Sequence, residues 1–113
     1  DGDLDAVVAV DLTSGARTIL SDATTPDAAN PFSFPVGITL DVTNGRALVI
    51  DGSFGLNAVV AVDLTSGART ILSDATTPDA ANPFSSPFGI TLDAVNNRAL
   101  VVDGDLDAVW RWI

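Results

Sequence analysis

The sequence predicts an all-β protein of four-stranded antiparallel blades, about two to the chain, and three observations carry that expectation. A block of text recurs at an offset of 52 residues, Asp11 matching Asp63 and Asp51 matching Asp103. From Ala6 to Asp51 against Ala58 to Asp103 the copies differ only at Phe34/Ser86, Val36/Phe88, Val42/Ala94, Thr43/Val95, Gly45/Asn97 and Ile50/Val102. Within each copy, short apolar runs rich in Val and Ile are bounded by Gly, Pro, Asn and Asp, the pattern of strands and turns. Several good helix formers are missing, since the 113 residues include no Glu, Lys, Gln or Met.

Asp1 to Asp5 reads Asp-Gly-Asp-Leu-Asp, a polar and turn-prone start. Ala6 to Leu12 is an apolar run too short for a stand-alone helix, which suits a strand buried on both faces. Thr13-Ser14-Gly15 is a turn, and Ala16 to Ser21, with Arg17 among small residues, suits an outer strand whose edge is guarded by charge. Asp22 to Phe34 has two prolines and no periodicity, so it is a loop. Val36 to Asp41 and Arg46 to Asp51 are two apolar strands around Val42-Thr43-Asn44-Gly45, where Asn-Gly is a strong signal for a tight hairpin. Gly52 to Asn57 leads into the second copy. Asp103 to Val109 then repeats Asp1 to Val7 letter for letter, and the chain ends Trp110-Arg111-Trp112-Ile113 in strand-like alternation. Likeness this close points to recent duplication or to engineering.

If the pair beginning at Val36 is lettered A and B, the Ala-Val-Val-Ala-Val run C and the Arg-Thr-Ile-Leu run D, the chain reads C, D, A, B, C, D, A, B, C. A period near 50 residues with four short strands per unit is the signature of a β-propeller. Within a single repeat domain, 1–113, only 36–73 is a complete blade. Residues 6–21 supply C and D alone, and 88–113 supply A, B and C. A closed ring needs at least four blades, so the complementary ends predict a ring closed by oligomerisation, with the head of one copy finishing the last blade of another. Three copies, giving six blades, are favoured over four copies, giving eight. One of the two C strands, Ala6 to Leu12 or Ala108 to Ile113, is then displaced.

Pro-x-Gly-Ile-x-Leu-Asp, Arg-Ala-Leu-Val-x-Asp and Ala-Val-x-x-Val-Asp-Leu-x-Ser-Gly together resemble blades of the NHL, YVTN and gluconolactonase-like propeller group. The resemblance covers nearly the whole chain and is specific for the blade. It implies that the Pro-x-Gly strand lies nearest the central axis, that Asp-Leu-x-Ser-Gly joins the two outer strands, and that six blades are the natural count.

Function is constrained mostly by exclusion. The formal net charge of −10 rules against nucleic acid, which needs clustered cations, and against an anionic membrane surface. With no Cys and no His there is no thiolate and no imidazole base, and Ser14, Ser66, Thr13 and Thr65 have no His or Lys to activate them. Alternate carboxylates at Asp1, Asp3, Asp5 and at Asp103, Asp105, Asp107 have the spacing of a calcium loop. No Glu completes the set and the middle copy has lost most of the carboxylates, so a solvated, turn-forming loop is the stronger reading and no cofactor is expected. Asp41/Asp93 and Asp51/Asp103 end strands A and B, which suggests carboxylates around one mouth of a channel; capping of turns and pairing with Arg46 and Arg98 is the simpler role. Trp110 and Trp112 lie two apart and, with Val7, Val8 and Val10, are expected at an interface. Phe32, Phe34, Phe84 and Phe88 are expected to anchor the long loops on a neighbouring blade. The chain is therefore expected to be a non-catalytic, self-assembling propeller fragment whose partner is itself, with a remnant of a metal-dependent lactonase-like or sugar-binding propeller as the alternative.

Overall fold

The computed structural model describes residues 5–104 in full and the strand at 108–112 as backbone. Nine strands follow one another: β1 (Val7–Val10), β2 (Arg17–Ser21), β3 (Pro35–Asp41), β4 (Arg46–Asp51), β5 (Ala58–Asp63), β6 (Arg69–Ser73), β7 (Pro87–Asp93), β8 (Arg98–Asp103) and β9 (Ala108–Trp112). All neighbouring pairs are antiparallel. They form a two-stranded sheet β1-β2, a four-stranded sheet β3-β4-β5-β6 and a three-stranded sheet β7-β8-β9. The fold is all-β and propeller-like, one complete blade between two partial ones.

Residue alternation explains why the sheets stack. Along β4 and β5, Ala47, Val49, Ala58, Val60 and Val62 point to one side, where they meet Phe32, Val7 and Leu20. Leu48, Ile50, Val59 and Ala61 point to the other, where they meet Ala99, Val101, Phe84, Ile90 and Leu92. A run without polar interruption is what a strand covered on both faces requires. Residues 47–50 and 58–62 are accordingly all buried.

The hairpin turn lies at Val42 to Gly45, where the sequence places it. Val42–Asn44 forms a single 3-10 turn closed by Gly45 in the left-handed region at φ 63°. In the second copy Ala94–Asn96 does the same, and Asn97 takes φ 54°. Asn is among the few residues that enter this region easily, so the Gly45/Asn97 difference leaves the backbone unchanged.

The long loop before β3 is organised by one side chain from the next blade. Arg69 at the start of β6 is 5% exposed. Its guanidinium donates to Ser21 Oγ (2.6 Å), to the Asp22 carbonyl oxygen, to the Thr25 carbonyl oxygen (3.0 Å), to those of Asp27 and Ala29 (both 2.9 Å) and, through Nε, to that of Asn30 (2.8 Å). Asn30 Nδ2 donates back to the Arg69 carbonyl at 3.0 Å, and the guanidinium carbon sits 5.6 Å from the Phe32 ring centroid. Five donors in a planar fork are matched to a ring of carbonyls.

Replacing Arg69 with Ala would leave these acceptors facing an empty site. The expected cost is at least about 3 kcal/mol, several charge-assisted hydrogen bonds lost with their partners unmet. The urea unfolding midpoint at constant protein concentration measures it. A shift equivalent to less than about 1 kcal/mol would show that the loop holds its shape without the arginine.

Candidate functional site

The carboxylates that the sequence brings forward prove to be at opposite ends of the blade. In the β3-β4 register Asp51 stands opposite Pro35, whereas Asp41 stands opposite Arg46. The same holds in β7-β8, where Asp103 faces Pro87 and Asp93 faces Arg98. Asp41/Asp93 and Asp51/Asp103 thus do not ring one mouth together, because an antiparallel pair puts its two C-terminal residues at opposite ends.

At one end, Asp51 is fully buried. Its carboxylate accepts the backbone N–H groups of Ser33 (2.7 Å), Phe34 (3.0 Å) and Leu56 (2.7 Å). A Cβ on Gly55 would collide with Asp51 Oδ1, so glycine is what lets the link approach the carboxylate. Asp103, also fully buried, accepts N–H from Ser85 (2.7 Å) and Ser86 (3.0 Å). Of the six Asp considered for calcium, Asp103 is thus committed to backbone amides. Asp5 occupies the left-handed region at φ 45°, as its counterpart Asn57 does at φ 51°; Asp1, Asp3, Asp105 and Asp107 lie outside the described residues. Among the described residues no cluster of three or more acidic groups is placed to hold a metal ion.

At the other end, Arg46 Nε donates to Asp41 Oδ2 and Arg98 Nε to Asp93 Oδ2, each at 2.8 Å. Asn44 and Asn96 donate to the same oxygens at 2.9 Å. Asp41, Arg46 and Arg98 line a cleft of about 220 Å³ between the blades, with Leu48, Leu72 and Leu92 as its apolar wall. Burial pushes the Asp41 carboxyl up, but the Asn44 amide and the Arg46 guanidinium outweigh it and hold it below the usual carboxylate range. The Asn96 amide and Arg98 hold Asp93 low in the same way. Two equivalent, internally neutralised ion pairs offer no asymmetric acid and base with separated protonation states, which hydrolytic chemistry needs.

The remaining described carboxylates serve turns. Asp11 Oδ1 accepts N–H from Thr13 and Ser14, and Asp63 Oδ1 from Thr65 and Ser66, all at 2.8 Å. Asp22 and Asp74 cap the starts of the two long loops through Thr24, Thr25, Thr76 and Thr77. These backbone N–H groups hold all four carboxyls below their usual range.

What distinguishes the copies is coverage. Ile38 and Leu40 on β3 are 54% and 51% exposed, while their counterparts Ile90 and Leu92 on β7 are packed against the central blade. Val10 is 53% exposed, whereas Val62 is fully buried. Of the valines expected at an interface, Val7 packs within the chain against the first core cluster. Val8 is half-buried and lines, with Val7 and Ile38, a cleft of about 290 Å³ left where the first blade lacks strands A and B. Trp110 and Trp112 belong to β9, and Trp112 stands opposite Leu100; their side chains lie outside the described residues. Phe32 and Phe84 join the cores between blades, as expected. Phe34 and Phe88 stay 42% and 52% exposed, and Phe34 meets the Phe54 ring edge-on at 5.5 Å. Arg69 is the residue that sequence reading missed, because nothing in the text separates it from the exposed Arg17.

No protein-family model matches the chain, and no curated protein matches it. Among solved structures, the crystal structure of a nidogen/laminin complex is similar, with a TM-score of 0.55 at 15% sequence identity. The match is to a β-propeller. It covers 96% of this chain and 38% of that one, so the chain spans well under half the length of the structure it resembles. At this identity the likeness shows the fold alone.

Six carboxyls, Asp11, Asp22, Asp41, Asp63, Asp74 and Asp93, are held low in the folded chain. The unfolded chain therefore binds more protons in the acid range, so their contribution is complete above about pH 4 and is lost as pH falls through the folded values. The melting temperature is expected to be level from about pH 7 to 5 and to fall steadily below about pH 4. A level melting temperature down to about pH 2.5 would contradict the turn-capping role.

Proposed function

We propose that the chain is a non-catalytic propeller fragment, of the type that the NHL-like blade motifs suggest, which assembles with copies of itself into a closed ring. The observation that carries this reading is the unequal coverage of identical residues. Ile90 and Leu92 are packed because the blade before them has strands β3 and β4; Ile38 and Leu40 are bare because the blade before them has only β1 and β2. Strands β7 and β8 of a second copy, laid beside β1-β2, would supply the missing pair. The two-stranded and three-stranded sheets then merge into one four-stranded blade, with either β1 or β9 displaced.

Each copy contributes two blades in such a ring, and three copies give six. The alternative, isolated copies, leaves Val10, Ile19, Ile38 and Leu40 in water on sheet faces that are apolar in the covered copy, an association-prone surface. Support for the absence of catalysis comes from the described carboxylates from Asp11 onward, which serve backbone N–H groups and arginines.

Sedimentation equilibrium tests the proposal. Three copies of an 11.6 kDa chain give a species of about 35 kDa. Raising salt from about 20 to 200 mM is expected to tighten association, because copies carrying −10 each repel one another and salt screens that repulsion. A dispersed species of 11.6 kDa across the micromolar range would overturn the ring.

A further inference from the structure

We infer that the loop from Asp74 to Asn82 is a receptor for the guanidinium of Arg17 from a second copy of this chain. The inference rests on the ring reading above and names the polar contact that would fix its register.

The template lies within the chain. The Asp22–Asn30 loop, which runs from the outer strand of one blade to the inner strand of the next, closes around Arg69 on the outer strand of that next blade. The second loop has the same sequence from Asp74 to Ser85 as the first has from Asp22 to Ser33. It is also built to the same shape. Asp74 N–H donates to the Thr77 carbonyl at 2.8 Å and Asp22 N–H to the Thr25 carbonyl at 2.9 Å. Asp79 Oδ1 accepts from Ala81 at 2.9 Å, as Asp27 does from Ala29, and Asn82 takes φ 51° where Asn30 takes φ 50°. The acceptors that hold Arg69 thus have counterparts in Ser73 Oγ and the carbonyls of Asp74, Thr77, Asp79, Ala81 and Asn82. Among the described residues no guanidinium reaches them, and the third sheet consists of β7, β8 and β9.

The matching cation is equally unused. Arg17 occupies on β2 the position that Arg69 occupies on β6, opposite Val10 as Arg69 is opposite Val62. It is exposed and makes no hydrogen bond or ion pair among the described residues. Arg46 and Arg98 are already paired with Asp41 and Asp93.

A second contact, independent of charge, points to the same docking. Gly67, in the turn before β6, is buried, and a Cβ there would collide with the Leu20 carbonyl oxygen of the preceding blade. Gly15, its counterpart before β2, has the same backbone at φ 78° and nothing within 4 Å of where a Cβ would stand. A turn fitted for close approach to a neighbouring blade thus has no neighbour among the described residues. When β2 of one copy completes the last blade of another, Gly15 meets the Leu72 carbonyl and Arg17 meets the Asp74–Asn82 loop.

The test follows the concentration at which the assembly dissociates, by sedimentation velocity over a dilution series. Arg17→Ala is expected to raise that concentration at least about tenfold, and Arg17→Lys nearly as much, since an ammonium cannot reproduce the fork. Gly15→Asn, which keeps the left-handed turn but adds bulk, is expected to weaken assembly to a similar degree. Both positions stand in open space in the single copy, so the melting temperature of the dilute variants should match that of the dilute parent. A parent that assembles while Arg17→Ala and Gly15→Asn assemble unchanged overturns this inference and leaves the ring standing. Loss of assembly accompanied by a collapsed melting temperature also overturns it, because Arg17 would then act within its own copy. A parent that stays monomeric throughout overturns the ring and this inference together.

Discussion

A sheet whose two faces are both apolar has to be covered twice, and that constraint governs the rest of the molecule. The inner pair β4 and β5 of the central blade satisfies it: their alternate residues fill one core against the first partial blade and a second core against the last. Each partial blade satisfies the constraint on one face only. Fully burying a Val, Leu or Ile side chain is worth about 1.5–3 kcal/mol, so the bare residues on β1, β2 and β3 represent stabilisation that the isolated chain does not collect. Stacking of near-identical units makes the end units the unstable ones, and a repeat chain must either cap its ends or join them.

Polar chemistry in this chain is spent on the backbone. Eleven Asp are described, and the ten from Asp11 onward accept hydrogen bonds within their own turns, links or ion pairs. Short strands joined by tight connections leave many N–H groups without ladder partners, and a carboxylate can accept two or three of them at once. The strong acidity of the chain thus has a local structural origin. Arg69 does the converse, donating to carbonyl oxygens along the long loop. These two devices let loops without regular structure hold one conformation.

Much of this was legible in the text of the chain. The repeat gives the strand order, and the apolar runs at Ala58 to Val62 and Ala47 to Ile50 announce strands buried on both faces. The turn at Val42 to Gly45 was legible in its position, whereas its 3-10 form was not. For the carboxylates at the ends of strands A and B, pairing of Asp41 with Arg46 and of Asp93 with Arg98 was the simpler reading and holds, whereas a shared rim with Asp51 and Asp103 is ruled out by the antiparallel register. The contrast between Arg17 and Arg69, or between Gly15 and Gly67, is invisible in sequence because the local text is identical. Their difference lies in what stands next to them, which is a property of the stack.

Hydroxyl-radical footprinting, read residue by residue at a concentration where the protein is assembled, tests the central claim most directly. If strands from a second copy cover β3, Ile38 and Leu40 will be labelled as little as Ile90 and Leu92. Labelling of Ile38 and Leu40 several-fold above that of Ile90 and Leu92, at every concentration, would show that the face remains open and that the chain does not close on its own kind.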